Sequence, residues 1–556
     1  MKMKNKFVLL YALLLAVGVL QAASPDSALF RSPFRFPLLL SANFGELRPN
    51  HFHDGIDIKT EGVTGKPIYS IADGYVSRVL VQHGGYGQAV CITHPSCGLT
   101  SLYGHIVAFA PEVQEFVRNY QYEHETFVCD LTLGPERFPV KQGELIALSG
   151  NEGASAGPHL HLELRRTDTG EFVNPLPYFK SLLTDSRPPV ARWIGFYPVR
   201  GKGVIDGVPT KKIVAASSSV PAPAAWGDIY TAISANDYMD GTANHYGVHS
   251  VVLYVDDTEV FRSTTDEVAP DENRMINGFI DYEEYVRSRR LLMRSALLPG
   301  NRLRLLQTGE GRGVVHIDEE RDYHFRYELT DDFGNCQTYR FVVRGCPQPV
   351  PAYEPEGKWL SWNRTHVVQE PGMELVIPRG QLYEDVALRT EVKGDTAGIS
   401  FDYVLDMGNT PLHGYCQLSI GIRHFPVEDR SKYYIVQKTG KNRASMGGRV
   451  EDGWIKTSVR SLGTFAVAVD TVPPRVEPVG QATWRNRRHL RFTVTDAQTG
   501  IASYKVYVDG SFVLFARKGN TLSIVEPERI RKGVPHTVEV VVCDGCGNET
   551  RKTYKF

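Results

Sequence analysis

Gly157-Pro158-His159-Leu160-His161-Leu162-Glu163 and His51-Phe52-His53-Asp54-Gly55-Ile56-Asp57 are the two stretches on which the reading of this chain turns. In an extended strand, successive side chains point to opposite faces, so residues i and i+2 share a face. His159 and His161 therefore look the same way, and so do His53 and Asp57. Two adjacent strands of this kind bring an imidazole, a carboxylate and a second imidazole together. His51 has the same parity, so the pattern alone leaves the first histidine open between His51 and His53. Three protein ligands with a fourth position left for water describe a catalytic zinc, because structural zinc sites fill all four positions. The absence of clustered cysteines argues against a structural site. Gly55 and Gly157 flank the ligands and are expected to let neighbouring backbone approach closely. Leu162-Glu163-Leu164 continues the second strand into a core. A lone His-x-His is commonly just two surface histidines. The pair of motifs, with Gly-rich spacers and a further histidine in Tyr103-Gly104-His105, is far more specific.

Around this constellation the chain reads as mainly β. Its 556 residues are enough for roughly three to four domains. The 51 glycines, 33 prolines, 27 tyrosines and 25 phenylalanines suit turn-rich β structure. With 62 Lys+Arg against 63 Asp+Glu, no charge bias points to nucleic acid or to an anionic membrane surface. Lys2, Lys4 and Lys6 precede an apolar run from Phe7 to Leu20, and Gln21-Ala22-Ala23-Ser24 follows it. That run of about 14 residues falls short of the roughly 20 needed to span a bilayer, so residues 1–23 read as a cleaved secretory signal. No later segment is apolar enough to span, so the mature protein is expected to be exported and soluble. Eight cysteines are few for this length; Cys91 and Cys97 are near enough to pair, and the Cys543-x-x-Cys546 motif has no second copy. They read as scattered thiols or local disulfides.

Residues 30–182 hold all the candidate chemistry. Strand-like runs include Gly74-Tyr75-Val76-Ser77-Arg78-Val79-Leu80-Val81 and Ala89-Val90-Cys91-Ile92-Thr93. Val113, Phe116, Val117 and Tyr120 recur at helical spacing, which predicts a helix over 112–122 as an insertion beside the site. Beyond it the chain repeats itself. Asp185-Ser186-Arg187-Pro188-Pro189 and Asp470-Thr471-Val472-Pro473-Pro474 each open a β-patterned region. Asp237 and Asp496 each precede a strand ending in Val255-Asp256-Asp257 or Val508-Asp509-Gly510. Asp331-Asp332-Phe333-Gly334-Asn335 and Asp544-Gly545-Cys546-Gly547-Asn548 each turn into a last strand. This self-similarity marks two β-sandwich units resembling bacterial immunoglobulin-like domains, over 186–347 (enlarged around 262–315) and 470–556. Residues 350–469 read as another all-β unit with no catalytic constellation.

The first region resembles the lysostaphin/LytM family of zinc metallopeptidases from about Gly45 to Leu164. The resemblance rests on His53-Asp54-Gly55-Ile56-Asp57, Gly65-Lys66-Pro67-Ile68-Tyr69, Asp73-Gly74-Tyr75-Val76, Tyr103-Gly104-His105, Gly143-Glu144-Leu145-Ile146-Ala147, Ser149-Gly150 and Gly157-Pro158-His159-Leu160-His161. It implies a small antiparallel β core with the site in an open groove. It also implies one zinc ion held by His53, Asp57 and His161, with His159 and His105 as non-ligand histidines lining the site. The register favours His53 over His51. The family's activity implies cleavage of peptide bonds in the stem peptides or cross-links of peptidoglycan. In this reading His159 is the general base, and His105 stabilises the oxyanion or shares proton transfer. The departure from the family is the longer connection between His105 and Gly143, expected to reshape the substrate groove. Asn43 and Asn50 lie upstream, where an Asn caps the metal in latent relatives. His94 and His124 read as surface-loop residues. The competing function is a catalytically silent wall-binding protein or activator of another hydrolase; such relatives have lost ligands that this chain keeps. The C-terminal β units are expected to bind carbohydrate, to contact an envelope protein partner or to act as spacers. Trp359 and Trp362 are either sugar-stacking surfaces or core residues.

Overall fold

The computed structural model describes residues 29–217, 220–394 and 398–556. The expected signal segment, residues 1–23, lies outside the described residues. The fold is mainly β. Among the described residues no helix is long and apolar enough to cross a membrane.

The first unit is built on an antiparallel sheet of β1 (Leu40–Ala42), β2 (Ile56–Lys59), β3 (Gly74–Val81), β4 (Gln88–His94), β5 (Leu99–Ile106), β6 (Cys129–Thr132) and β7 (His159–Arg166). Their order across the sheet is β1-β2-β7-β5-β4-β3-β6. In β3 the alternation is interrupted. Val76, Val79 and Val81 are all buried, because the register with β4 shifts between Val76 and Arg78. Such a bulge inserts one residue and turns the next valine inward. Each of these side chains, fully buried, stabilises the fold by about 1.5–3 kcal/mol.

Helix α1 (Pro111–Glu123) corresponds to the helical spacing read over 112–122. Pro111 starts it, Glu112 lies in the first turn, and Val113, Val117 and Gln121 are buried along one stripe. It does not reshape the groove. Residues 107–140 are absent from the groove lining, and α1 instead carries contacts to the C-terminal unit. Arg118 pairs with Glu526 at 2.7 Å, the Tyr122 hydroxyl donates to the same carboxylate at 2.8 Å, and Lys505 reaches Glu125 at 2.7 Å. The longer connection is thus a docking platform within the chain.

The buried side chains beyond the first unit fall into three further large clusters. One runs from Ala191 to Val343 and takes in Phe44, Phe52 and Phe172 of the first unit. Phe172–Val173 also pairs with Glu267–Val268, so a strand pair crosses the junction. The segment around 262–315 carries short helices, and there Asn273 accepts from the Phe52 backbone N–H at 2.6 Å and donates to Asp54 at 2.5 Å. It therefore braces the loop that bears His53. A second cluster spans Leu360 to Val467, and a third, Val476 to Val542, lies between two four-stranded sheets. Trp359 is exposed, whereas Trp362 packs against the second of these clusters. All eight cysteines are free thiols, so Cys91 and Cys97 do not pair.

Candidate metal centre

Strand β2 lies antiparallel to β7 with Asp57 opposite His161, and β7 has β5 on its other side with His161 opposite Gly104. Direct cross-strand partners share a face, so this register places the Asp57 and His161 side chains together. His53 arrives from the preceding loop. That approach needs Gly55, since a Cβ there would sit 2.3 Å from the Leu162 carbonyl oxygen. The close approach expected at Gly157 is not found; nothing lies within 4 Å of a Cβ placed there.

The three ligand atoms converge. His53 Nε2, Asp57 Oδ1 and His161 Nδ1 lie 3.1, 3.1 and 2.8 Å apart pairwise. All three side chains are buried. The remaining nitrogens fix which lone pairs point inward. His53 Nδ1 sits 2.7 Å from the Asn43 carbonyl oxygen, which can only accept, so that nitrogen carries the proton and Nε2 is bare. His161 Nε2 sits 2.8 Å from the Glu163 carboxylate, so it donates there and Nδ1 is bare. Three lone pairs thus face one another, an arrangement that protons or a cation relieve. Without a metal, protons serve. Burial opposes charge on His161, yet Asp57 and Glu163 hold its pKa up at about 10. Burial also opposes ionisation of Asp57, and His53, His159 and His161 outweigh it to keep that carboxyl well below the usual range. A metal competes with exactly such protons. Two nitrogens and one carboxylate oxygen are a donor set for a first-row divalent metal, zinc included, and outer acceptors on both imidazoles are the usual support for metal ligands.

His159 and His105 stand beside the cluster. His159 Nε2 is 3.5 Å from Asp57 Oδ1, and its Nδ1 is 2.8 Å from the Gly157 carbonyl oxygen. His105 packs its ring 4.7 Å from that of His159. Its backbone has a positive φ of 61°, a conformation that non-glycine residues adopt uncommonly. Its Nδ1 donates to the Glu152 carbonyl at 2.8 Å. Gly150 permits this loop to close over His105, since a Cβ at Gly150 would meet the His105 carbonyl oxygen at 2.6 Å. Burial, then His159 and His161, push His105 down to about 4, so it is neutral at pH 7. All five residues line a groove of about 1000 Å³.

His51 stays exposed and bonds the Pro49 carbonyl, outside the ligand cluster. Neither upstream Asn reaches the ligand atoms through its side chain. The Asn43 side chain exchanges hydrogen bonds with the Gly247 backbone at 2.7 and 2.8 Å, and Asn50 bonds Asn277. His94 is no surface residue: it is fully buried, satisfied by the Asp73 carbonyl and the Ser101 hydroxyl. His124 is exposed just beyond α1. Two contributors escaped the sequence reading. Glu163 is fully buried, orients His161, and pairs with Arg165 at 2.6 Å. Arg48 lies 3.7 Å from the outer oxygen of Asp57. The parity that pairs His159 with His161 also puts Glu163 on their face, and that signal was available.

Residues 51–122 match the family model described as Peptidase family M23, and residues 357–470 match one described as a Zu5-like domain. An uncharacterized metalloprotease of Haemophilus influenzae is 35% identical over 132 residues, which cover 24% of this chain and 21% of that protein. The DD-carboxypeptidase/endopeptidase Mpg of Neisseria meningitidis serogroup B is 35% identical over 124 residues, 22% of each chain. The match therefore spans about a fifth of these relatives. The solved catalytic domain of a mutant of the prophage-encoded M23 protein EnpA from Enterococcus faecalis is 28% identical; it covers 26% of this chain and 95% of that one, with a TM-score of 0.20.

Proposed function

We propose that this chain, which carries a Peptidase family M23 domain, is an exported zinc-dependent endopeptidase that hydrolyses peptide bonds in peptidoglycan stem peptides or cross-links. The observation that carries the reading is the inward convergence of three lone pairs from His53, Asp57 and His161 at the floor of an open groove. When bound, zinc supplies Lewis acidity, polarising the scissile carbonyl and lowering the pKa of water to roughly 7. The chain's own groups do the rest. With Nδ1 donating to the Gly157 carbonyl, His159 offers Nε2 to the groove to take the proton of the attacking water. The imidazolium so formed lies beside the Asp57 carboxylate. His159 then returns the proton to the leaving amine. His105, with Nδ1 committed to Glu152, also presents a bare Nε2; this fits sharing of proton transfer better than donation to an oxyanion. The C-terminal units are assigned to contact with the wall or with an envelope protein partner.

The test is digestion of purified peptidoglycan with product masses read by mass spectrometry. The Neisseria relative's name makes D,D-cross-links the first substrate to try. Zinc-loaded protein is expected to release peptides, and His161→Ala or chelator-treated protein to release none. Absence of product from zinc-loaded protein overturns the wall-hydrolase reading.

A further inference from the structure

The repeated sandwiches hold a second kind of ligand cluster. Asp185, Asp237 and Asp331 bring carboxylate oxygens within 4.8 Å of one another, and so do Asp470, Asp496 and Asp544. These are equivalent positions of the internal repeat, and their frameworks match. Asn335 donates to the Asp331 carboxylate and to the Asp185 carbonyl. Asn548 donates to the Asp544 carboxylate and to the Asp470 carbonyl in the same way.

What differs is how the remaining oxygens are satisfied. In the C-terminal copy, Thr499 donates to one Asp470 oxygen at 2.8 Å and Gln498 to the other at 3.2 Å. Asp496 accepts three backbone N–H groups, from Gln498, Thr499 and Gly500. The string Asp496-Ala497-Gln498-Thr499-Gly500 is replaced in the first copy by Asp237-Tyr238-Met239-Asp240-Gly241. A thioether stands where the amide was, and a further carboxylate where the hydroxyl was. Asp237 is 4% exposed, and its Oδ1 has no hydrogen-bond partner; Oδ2 of Asp185 has none either. A buried acceptor left unpaired costs stability, and more when it is charged. Burial, with Asp331, Asp185 and Asp332 adding to it, pushes the Asp237 carboxyl up to about 8.

We propose that Asp185, Asp237 and Asp331 form a site for a hard divalent cation of the calcium class, and that the C-terminal cluster, whose donors replace the ion, binds none. Calcium takes six to eight oxygen ligands, many of them carboxylate; water and carbonyl oxygens complete the shell. The site sits at the junction with the peptidase unit. Asp237 pairs with Tyr246 through two backbone hydrogen bonds, the next residue, Gly247, is clamped by the Asn43 side chain, and the Asn43 carbonyl orients His53. The ion thus braces the end of the sandwich that holds a ligand of the peptidase centre.

The experiment is calorimetric titration of zinc-loaded full-length chain with calcium chloride, alongside thermal melts with and without calcium. One calcium per chain is expected, with a raised unfolding midpoint. Asp237→Asn should weaken binding at least tenfold and lose the calcium-dependent rise while melting close to the wild type without calcium, because the amide has the shape of the carboxyl that burial keeps protonated there. Asp185→Asn, on a half-buried loop, serves as the second variant, and Asp496→Asn should leave the binding unchanged. No binding at millimolar calcium, binding unaffected by both first-copy variants, or loss of binding in Asp496→Asn overturns the proposal.

Discussion

The His53–Asp57–His161 centre and the Asp185–Asp237–Asp331 cluster each gather three ligand atoms within 4.8 Å, yet their donors differ in kind and in how they are held. In the first, both imidazoles have their outer nitrogen tied to a fixed acceptor, so direction as well as identity is imposed. Borderline-soft nitrogen donors in a directed set suit zinc, whereas an all-oxygen set with leftover lone pairs suits a larger, geometrically tolerant ion. The difference teaches that outer hydrogen bonds, as well as the count of ligands, set a directed nitrogen–oxygen site apart from an all-oxygen cluster with unpaired lone pairs.

The sharpest division within the peptidase centre is between ligands and proton carriers. His159→Ala removes a group that holds no converging lone pair, so zinc content should stay near one per chain. Turnover of peptidoglycan fragments should fall by about 10²–10⁴ in kcat, the range for a general base. Metal analysis beside kinetics checks this, and loss of zinc from the variant would move His159 into the ligand set and break the contrast.

Glu163→Gln tests the outer hydrogen bonds themselves. The amide keeps the shape but loses the charge that faces His161 and Arg165. Replacing such a partner typically costs 10–100-fold in metal affinity or activity, and zinc competition with a chromophoric chelator reads it. An affinity unchanged within twofold would make Glu163 a partner of Arg165 alone.

Much of this is legible in the residues. Strand parity brought Asp57 and His161 to one face because period-2 alternation survives any sheet that holds the two strands adjacent; His53 lies in the loop before its strand, and the family resemblance, not parity, chose it over His51. Parity also reached Glu163, but a glutamate between two leucines reads as a strand continuing inward, and only its full burial shows the role. The Asn43 contribution was beyond reading, because it acts through a backbone carbonyl that every residue possesses. His94 was misplaced for a related reason: its partners, the Asp73 carbonyl and Ser101, are supplied by tertiary structure. The aspartates of the repeat were legible as domain starts and turns, yet their meeting was not, since each comes from a separate connection at one end of a sandwich.

The smallest effect sharpens the comparison between the two copies of that sandwich. Met239→Gln combined with Asp240→Thr carries the C-terminal donors into the first copy. If the hydroxyl and amide reach the Asp185 carboxylate as Thr499 and Gln498 reach Asp470, the calcium-free melting midpoint should rise by a few degrees, since hydrogen bonds to a charged group contribute about 1.5–3 kcal/mol each. The calcium-dependent increment should shrink at the same time, because the lone pairs are already occupied. A variant that melts higher yet keeps the full calcium increment would show that the two copies differ in stability alone, and that the acids of the first copy do not compete with donors for one set of oxygens.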